Sequence, residues 1–130
     1  MPSTKPVYQK LGLKPSHQAV HLHVPGDVRK ALGNLPSGCR VGEDLDTGTD
    51  FVLGFYEAAK VLTTDLPRIR KALQPSGMAW VCWKKGNVTD LSRDSIAAAA
   101  EKAGLEGVAS CSIDDSWSAL KLMYPKDQRA

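Results

Sequence analysis

The sequence lacks several features that would indicate a membrane, secreted or metal-binding protein. Its three cysteines, Cys39, Cys82 and Cys111, are odd in number and form no CxxC pair, so we expect a reduced compartment and no disulfide framework. No apolar run approaches the roughly 20 residues of a membrane span, and no signal peptide opens the chain. These absences predict a cytoplasmic protein with no membrane partner.

Strong charge of one sign is also missing. The 17 basic and 14 acidic residues are interspersed and leave a net charge of +3, without the basic block that tracks phosphates in nucleic-acid-binding proteins. We therefore predict no nucleic-acid partner. The length of 130 residues fits one domain at 17–124, with an N-terminal extension at 1–16 and a polar tail at 125–130.

The most informative stretch runs from Asp50 to Lys85 and predicts one strand–helix–strand unit. The pattern predicts a strand at Phe51–Tyr56, a helix at Glu57–Leu73, a turn at Gln74–Gly77 and a second strand at Met78–Lys84. Because the second strand is apolar on both faces, it belongs inside a parallel sheet with helices above and below. The fold class is therefore α/β.

Pro67 lies inside the predicted helix, where it removes a backbone hydrogen bond. We expect a break near Thr63–Asp65, with Asp65 capping a second helical piece. An apolar stripe should face the sheet; its residues are Leu62, Leu66, Ile69 and Leu73.

The remaining elements complete a three-layer α/β/α, Rossmann-like domain with a mostly parallel sheet of five or six strands and a final antiparallel strand. They are a helical turn at Val7–Leu13, strands at His17–Val24 and Cys39–Glu43, helices at Val28–Gly33 and Arg93–Ala103, and strands at Val108–Ile113 and Trp117–Tyr124. Gly104 should stop the second long helix. In the first strand, Val20, Leu22 and Val24 should share one face, and Ala19, His21 and His23 the other. The pairing of the second strand stays open.

This order of elements resembles the C-terminal half of the class I S-adenosylmethionine-dependent methyltransferases. The resemblance rests on Asp50–Leu53, on Ile69–Leu73 followed by Gln74–Gly77, on Met78–Val81, and on the closing hairpin Val108–Tyr124. The chain also resembles a family of small uncharacterised bacterial proteins, through Leu13–Pro15, Trp83–Lys85 and Trp117-Ser118.

The chain departs from the methyltransferases at the turn after the first strand. These enzymes carry a glycine-rich loop there, whereas Val24–Val28 contains one glycine and a proline without an N–H. A long element before Asp50 is also missing. We therefore predict no cofactor, with S-adenosylmethionine as the alternative; by position, Glu43 or Asp44 would be the acid for its ribose hydroxyls.

In open α/β sheets, ligands bind beyond the carboxyl ends of the strands. Here those ends supply a candidate set of Gly26, Asp27, Glu43, Asp44, Tyr56, Lys84, Lys85 and Trp117. The lysines are candidates for an anion and Trp117 for a planar ligand. The other interpretation makes the lysines solvated, the aspartates turn formers and Trp117 a packing residue.

The spacing of His21 and His23 can seat a metal, with Cys82 and Cys111 as soft partners, but no further ligand can be named, so we predict no metal site. No nucleophile motif accompanies the serines. Our leading hypothesis is a non-catalytic binding or interaction module on a degenerate methyltransferase-like scaffold, forming a homodimer or binding an unidentified protein. The alternative is a binder of a small adenosine-type ligand, or an S-adenosylmethionine-dependent methyltransferase.

Overall fold

The computed structural model describes residues 7–28, 32, 37–86 and 88–129. Three helices are described in this part of the chain: α1 (Val7–Leu11), α2 (Ala59–Ala72) and α3 (Arg93–Lys102). The described strands are β1 (Gln18–Leu22), β2 (Arg40–Gly42), β3 (Thr49–Phe55), β4 (Leu73–Lys84), β5 (Glu106–Ser112) and β6 (Trp117–Met123). Short 3-10 turns lie at Gly26–Val28 and Lys126–Gln128.

The six strands form one sheet in the order β2-β1-β3-β4-β6-β5. Strands β1 to β4 pair in parallel, and β6 runs antiparallel to both β4 and β5. Buried apolar side chains cover both faces of the sheet, from α2 and α3 on one face and from α1 on the other. The predicted three-layer, mostly parallel α/β architecture is confirmed.

Strand β4 owes its central place to its two apolar faces. Ala79 and Val81 pack into the layer under α2 and α3, whereas Trp80 and Cys82 pack into the layer under α1. The Trp80 indole N–H donates to the carbonyl of Leu11 at 2.8 Å, which ties α1 to the sheet. This face assignment agrees with the sequence pattern.

Helix α2 is continuous, so the predicted break near Thr63–Asp65 is wrong. Asp65 is not a cap but a buried residue within the helix. Leu62 and Ile69, on either side of the expected break, are both buried against the sheet. This packing holds the helix together across Pro67, which itself lies exposed.

The predicted turn at Gln74–Gly77 is part of β4. Leu73 pairs with Thr49, and pairing resumes at Met78 with Phe51, so the segment between them forms a bulge rather than a free turn. A bulge accommodates extra residues on one strand without ending the ladder. The strand therefore starts five residues earlier than the sequence pattern indicated.

The open question of the second strand is answered by its pairing with β1. Arg40 lies beside Gln18, and Gly42 beside Val20, in parallel register. Strands β2 and β3 flank β1, so residues 43–48 cross β1 in fewer residues than the roughly dozen usual for a parallel crossover. Leu45 in this connection packs against the layer under α2 and α3.

The remaining predicted elements are found at slightly different bounds where the structure describes them. The last two strands form the predicted antiparallel hairpin. Ser92 caps α3 by accepting from the backbone of Ser95. Gly104 follows the end of α3 with φ of +90°, where the sequence predicts the helix to stop. Most of the predicted helix Val28–Gly33 lies outside the described residues.

Candidate functional site

Two cavities open at the carboxyl ends of β1, β2 and β3, where the strand order changes direction. The first cavity has a volume of about 430 Å³ and is lined by His21, His23, Val24, Val41, Gly42 and Glu43. The second, of about 240 Å³, is lined by His23, Pro25, Phe55, Tyr56, Glu57, Ala58, Val61 and Trp117. His23 borders both. Ligands of open α/β sheets bind at this type of edge.

His23 reaches this position because the backbone changes direction there. It has φ of +57°, a left-handed conformation that costs a non-glycine residue energy and that occurs preferentially at functional sites. The prediction that His21 and His23 share a face is therefore wrong. The His21 ring contacts the Tyr8 hydroxyl at 2.9 Å, whereas the His23 ring contacts Asp65. Val24, predicted on the face of Val20, packs on the opposite layer.

Asp65 is the centre of a hydrogen-bond network behind the second cavity. Its Oδ2 atom accepts from the Tyr56 hydroxyl at 2.7 Å and lies 3.1 Å from Nε2 of His23, while Oδ1 accepts from Arg68 at 3.3 Å. The Asp65 side chain is only 8% exposed, whereas that of His23 is 50% exposed. Asp65 therefore orients an imidazole whose other parts remain accessible.

Tyr56 is a buried partner of this carboxylate rather than a ligand-binding side chain. Burial, reinforced by the hydrogen bond to Asp65, raises the pKa of the Tyr56 hydroxyl far above its ordinary value. The His23 ring packs edge-on against the Tyr56 ring, with centroids 5.3 Å apart. Tyr56 lines the second cavity with its hydroxyl committed to Asp65, and a role for it in ligand binding stays a prediction.

Trp117 lines the second cavity, and Lys84 contacts two of its lining residues. The ammonium of Lys84 lies 3.1 Å from Glu57 and 5.6 Å from the centre of the Trp117 ring. Trp117 is buried and packs edge-on against Phe55. Lys84 is thus held in an ion pair rather than simply solvated, and Trp117 packs as an aromatic; ligand binding by either side chain stays a prediction.

The other candidates are spread along the same edge. Glu43 lines the first cavity, and Lys85 lies at a third, separate cavity with its ammonium 2.7 Å from the Ser112 hydroxyl. Gly26 and Asp27 lie in the 3-10 turn after β1, and Asp44 is exposed beside Glu43. The side chain of Asp27 lies outside the part of the chain that the structure describes. The eight predicted residues therefore do not converge on one pocket.

Sequence reasoning missed the residues at the heart of the site. The sequence pattern predicts Asp65 as a helix cap and His23 on the strand face of His21, with no contact between Asp65 and His23. One signal was present: Asp65 falls between Leu62 and Ile69 on the sheet-facing side of α2, where an unpaired carboxylate would be costly. A buried carboxylate needs a partner, but the positive φ that brings His23 to it has no signature in the sequence.

Neither a metal centre nor a membrane-spanning helix is found where the structure describes the chain. Among residues 7–28, 32, 37–86 and 88–129, no three His, Cys, Asp or Glu side chains gather closely enough to hold a metal ion. In the same residues, no helix has the length and apolar character needed to cross a bilayer. Association with a second copy or another protein remains a prediction.

The sequence matches the family described as "Protein of unknown function (DUF3052)" over residues 18–126. The chain belongs to the DUF3052 family. The match spans all six strands and both long helices, and it includes every residue of the two cavities described above. No curated protein matches the sequence.

Solved structures similar to this DUF3052 chain include several methyltransferases. The mitomycin 7-O-methyltransferase MmcR superimposes with a TM-score of 0.68 at 14% identity, over 84% of this chain and 49% of that one. An S-adenosylmethionine-dependent methyltransferase from Aquifex aeolicus gives 0.64 at 11%, over 92% and 88% of the two chains. For Burkholderia thailandensis 1,6-didemethyltoxoflavin-N1-methyltransferase, with bound S-adenosylhomocysteine, the values are 0.66 at 13%, over 92% and 75%.

These similarities establish the fold of the chain. The Rossmann-like, methyltransferase-like scaffold predicted from the order of elements is confirmed. The chain spans about half the length of MmcR, and sequence identities of 11–14% carry no residue roles from one protein to the other.

Proposed function

We propose that this DUF3052 protein is a non-catalytic binding module that holds a small nucleoside-type ligand in the first cavity, between the ends of β1 and β2. The observation that carries the proposal is the cavity itself. Its volume of about 430 Å³ falls within the roughly 300–1,000 Å³ usual for small-molecule sites. Glu43 and His23 supply the polar groups that orient a ligand.

Glu43 has the chemistry that a ribose requires. It follows β2 directly, and a carboxylate near this place in nucleotide-binding α/β folds accepts hydrogen bonds from ribose hydroxyls. The imidazole of His23, oriented by Asp65, offers a flat surface and a ring nitrogen on the opposite wall. Together the two side chains suit a sugar bearing a heterocyclic base.

Gly42 supports a close approach of ligand to backbone. It lines the cavity, its φ is not in the left-handed region, and a Cβ built there would meet no atom within 4 Å. Neither the backbone conformation nor the packing of the described residues therefore demands glycine at this position. Room for a ligand atom against the strand is a reason for it.

The turn after β1 suits only part of S-adenosylmethionine. Pro25 has no N–H, and the N–H of Val28 is used on the carbonyl of Pro25 at 3.2 Å. The turn therefore has fewer backbone donors for an amino-acid moiety than a glycine-rich loop has. Glu43 and the first cavity fit the adenosine part of the molecule. We therefore propose that the cavity binds a nucleoside-type ligand rather than using S-adenosylmethionine to transfer a methyl group.

The polar groups of the second cavity favour binding over chemistry. The raised pKa of Tyr56 keeps its hydroxyl protonated at neutral pH, so it is a poor base. Lys84 is engaged by Glu57. Tyr56 and Lys84 are each held by a partner, and the half-exposed His23 ring is oriented by Asp65.

Isothermal titration with adenosine, S-adenosylmethionine and S-adenosylhomocysteine tests the proposal. We expect the affinity to fall at least about tenfold in Glu43→Gln, because that variant loses a charge-assisted hydrogen bond. In Gly42→Ala the affinity should also fall, because the added methyl group occupies space that the ligand needs. Asp44→Asn is the matched control, because Asp44 is the exposed neighbouring carboxylate, and it should bind as the wild type does. Absence of binding at millimolar ligand, or equal loss in the control, would contradict the proposal.

A second candidate, methyl transfer, is favoured by one observation, the Asp65–His23 pair, since an imidazole held by a buried carboxylate is the common form of a general base. Incubation with S-adenosylmethionine and a panel of phenol, thiol and amine acceptors distinguishes the two functions. Formation of S-adenosylhomocysteine that disappears in His23→Ala would replace our proposal with this one. Ligand binding without product at any acceptor supports the binding module.

A further inference from the structure

A third cavity, of about 410 Å³, lies on the side of the sheet that carries α3, away from the first two. Its floor is built by cross-strand register: Trp83 pairs with Ser118, and Ser118 pairs with Ser112. Directly paired residues of antiparallel strands project to the same face. Ser110, two residues from Ser112, shares that face. Three hydroxyls and an indole therefore form one row.

Two cations border this row. Lys85 follows β4, and its ammonium donates to the hydroxyl of Ser112 at 2.7 Å, a neutral partner. Arg93 begins α3 and forms no ion pair with any residue that the structure describes. None of the described residues lining the cavity is Asp or Glu. The cavity therefore collects two positive charges with no counter-charge in its wall.

The serine hydroxyls differ in how they are used. The Ser112 hydroxyl accepts from Lys85 and lies 3.2 Å from the carbonyl of Asp114, so it positions the ammonium. The hydroxyls of Ser110 and Ser118 form no hydrogen bond with the described residues and remain available to a ligand. Available hydroxyl donors beside a guanidinium suit the oxygens of a phosphate or carboxylate.

We propose that this cavity binds a small organic anion, with its phosphate or carboxylate between Lys85 and Arg93 and its planar body against Trp83. Trp83 suits the second role because its side chain is half-buried against the layer under α2 and α3 and still lines the cavity. The described residues that line this cavity include none that line the first cavity, so the two sites are separate.

Titration with phenyl phosphate and with benzoate, followed by calorimetry and tryptophan fluorescence, tests the proposal and distinguishes the two anions. We expect saturable binding that weakens at least about tenfold in Arg93→Gln and in Lys85→Gln, since each removes a charge-assisted hydrogen bond. Lys60→Gln, which removes an exposed charge on α2, is the matched control and should bind like the wild type. Phenol, which lacks the charge, should not bind at the same concentrations.

The contacts also predict which fluorophore responds. Trp80 and Trp117 are buried, so the change in emission should vanish in Trp83→Phe while binding by calorimetry weakens. The proposal is overturned if neither anion binds at 10 mM, which is about a thousandfold above a 10 μM dissociation constant, or if Lys60→Gln loses as much affinity as Arg93→Gln. Circular dichroism of the exposed-residue variants should match the wild type, which separates lost binding from lost folding.

Discussion

The hydroxyl of Tyr56, at the end of β3, donates to the carboxylate of Asp65 on α2 across 2.7 Å, with both residues buried. This contact joins the strand edge that carries the cavities to the helix that covers them. We predict that Tyr56→Phe lowers the free energy of unfolding by about 1.5–3 kcal/mol, the usual range for a hydrogen bond to a charged group. Urea denaturation measures the change.

Tyr124→Phe is a control for this prediction. The Tyr124 hydroxyl donates to the carbonyl of Arg70 at 2.6 Å, a neutral acceptor on a half-buried residue. Its loss should cost only about 0.5–1.5 kcal/mol. Equal costs for the two variants would show that the Asp65 carboxylate is not the source of the larger effect at Tyr56.

The same contact predicts how stability depends on alkaline pH. Burial and Asp65 raise the pKa of Tyr56 in the folded state, whereas the unfolded chain titrates near its ordinary value of about 10. Above that pH the unfolded state loses a proton that the folded state keeps. The unfolded state is then favoured, and the Tyr56 contribution is lost as pH rises, with a slope approaching about 1.4 kcal/mol per pH unit.

Tyr56→Phe isolates this contribution from the other groups that titrate above pH 10. Urea denaturation of both proteins from pH 8 to pH 11 should give a constant difference below pH 9 and a wild-type curve that falls more steeply above pH 10. Parallel curves throughout would mean that Tyr56 ionises as easily in the folded protein as in the unfolded chain.

The architecture could be predicted from the sequence because apolar periodicity encodes it. Two apolar faces in Met78–Lys84 fixed the centre of a parallel sheet, and the stripe through Leu62 and Ile69 fixed the helix that covers it. The pattern failed where long-range packing overrides a local signal. Pro67 should end a helix by its own chemistry, but buried neighbours on both sides keep α2 whole.

The site was harder to predict because it depends on a backbone conformation and on distant contacts. His23 follows the alternation of β1 in sequence, and only its positive φ takes the imidazole away from the face of His21. Glu43, in contrast, directly follows a strand and lies at the sheet edge, where its position alone predicts it, and its role in ligand binding stays a prediction. Side chains at strand ends are predictable, whereas the network behind them is not.

Gly54 is required by the packing of Tyr56. A Cβ at Gly54 would lie 2.7 Å from Cε2 of the Tyr56 ring, which belongs to the buried network and cannot easily move. We predict that Gly54→Ala lowers the free energy of unfolding by about 1–3 kcal/mol, as overpacking does. The double variant Gly54→Ala/Tyr56→Phe should show the same loss from this clash, because the phenylalanine ring keeps the Cε2 atom.

The matched control is Gly42→Ala, since a Cβ at Gly42 would meet no atom within 4 Å. Its free energy of unfolding should change by less than about 0.5 kcal/mol. A large loss at Gly42, or none at Gly54, would show that the backbone of these strands is shaped differently from the structure described above.

Cys82 should be unreactive while the protein is folded. It is fully buried in β4, and burial raises the pKa of its thiol. Cys39 and Cys111 are half-buried and each lies near the surface. At pH 8, Ellman's reagent should therefore modify two thiols readily and the third only on unfolding. Cys82→Ala should keep both readily modified thiols. Three fast thiols in the wild type, or only one in Cys82→Ala, would contradict the assignment.

Replacing Pro67 should stabilise the protein. The proline ring in α2 removes a backbone N–H and crowds the carbonyl of Thr63, one turn earlier, while its own side chain is exposed. Pro67→Ala restores the hydrogen bond without uncovering the apolar stripe, so we expect the free energy of unfolding to rise by about 1–3 kcal/mol. Thermal and urea denaturation measure this rise. A loss of stability would show that α2 needs the proline, for instance to keep Asp65, two residues earlier, aligned with Tyr56.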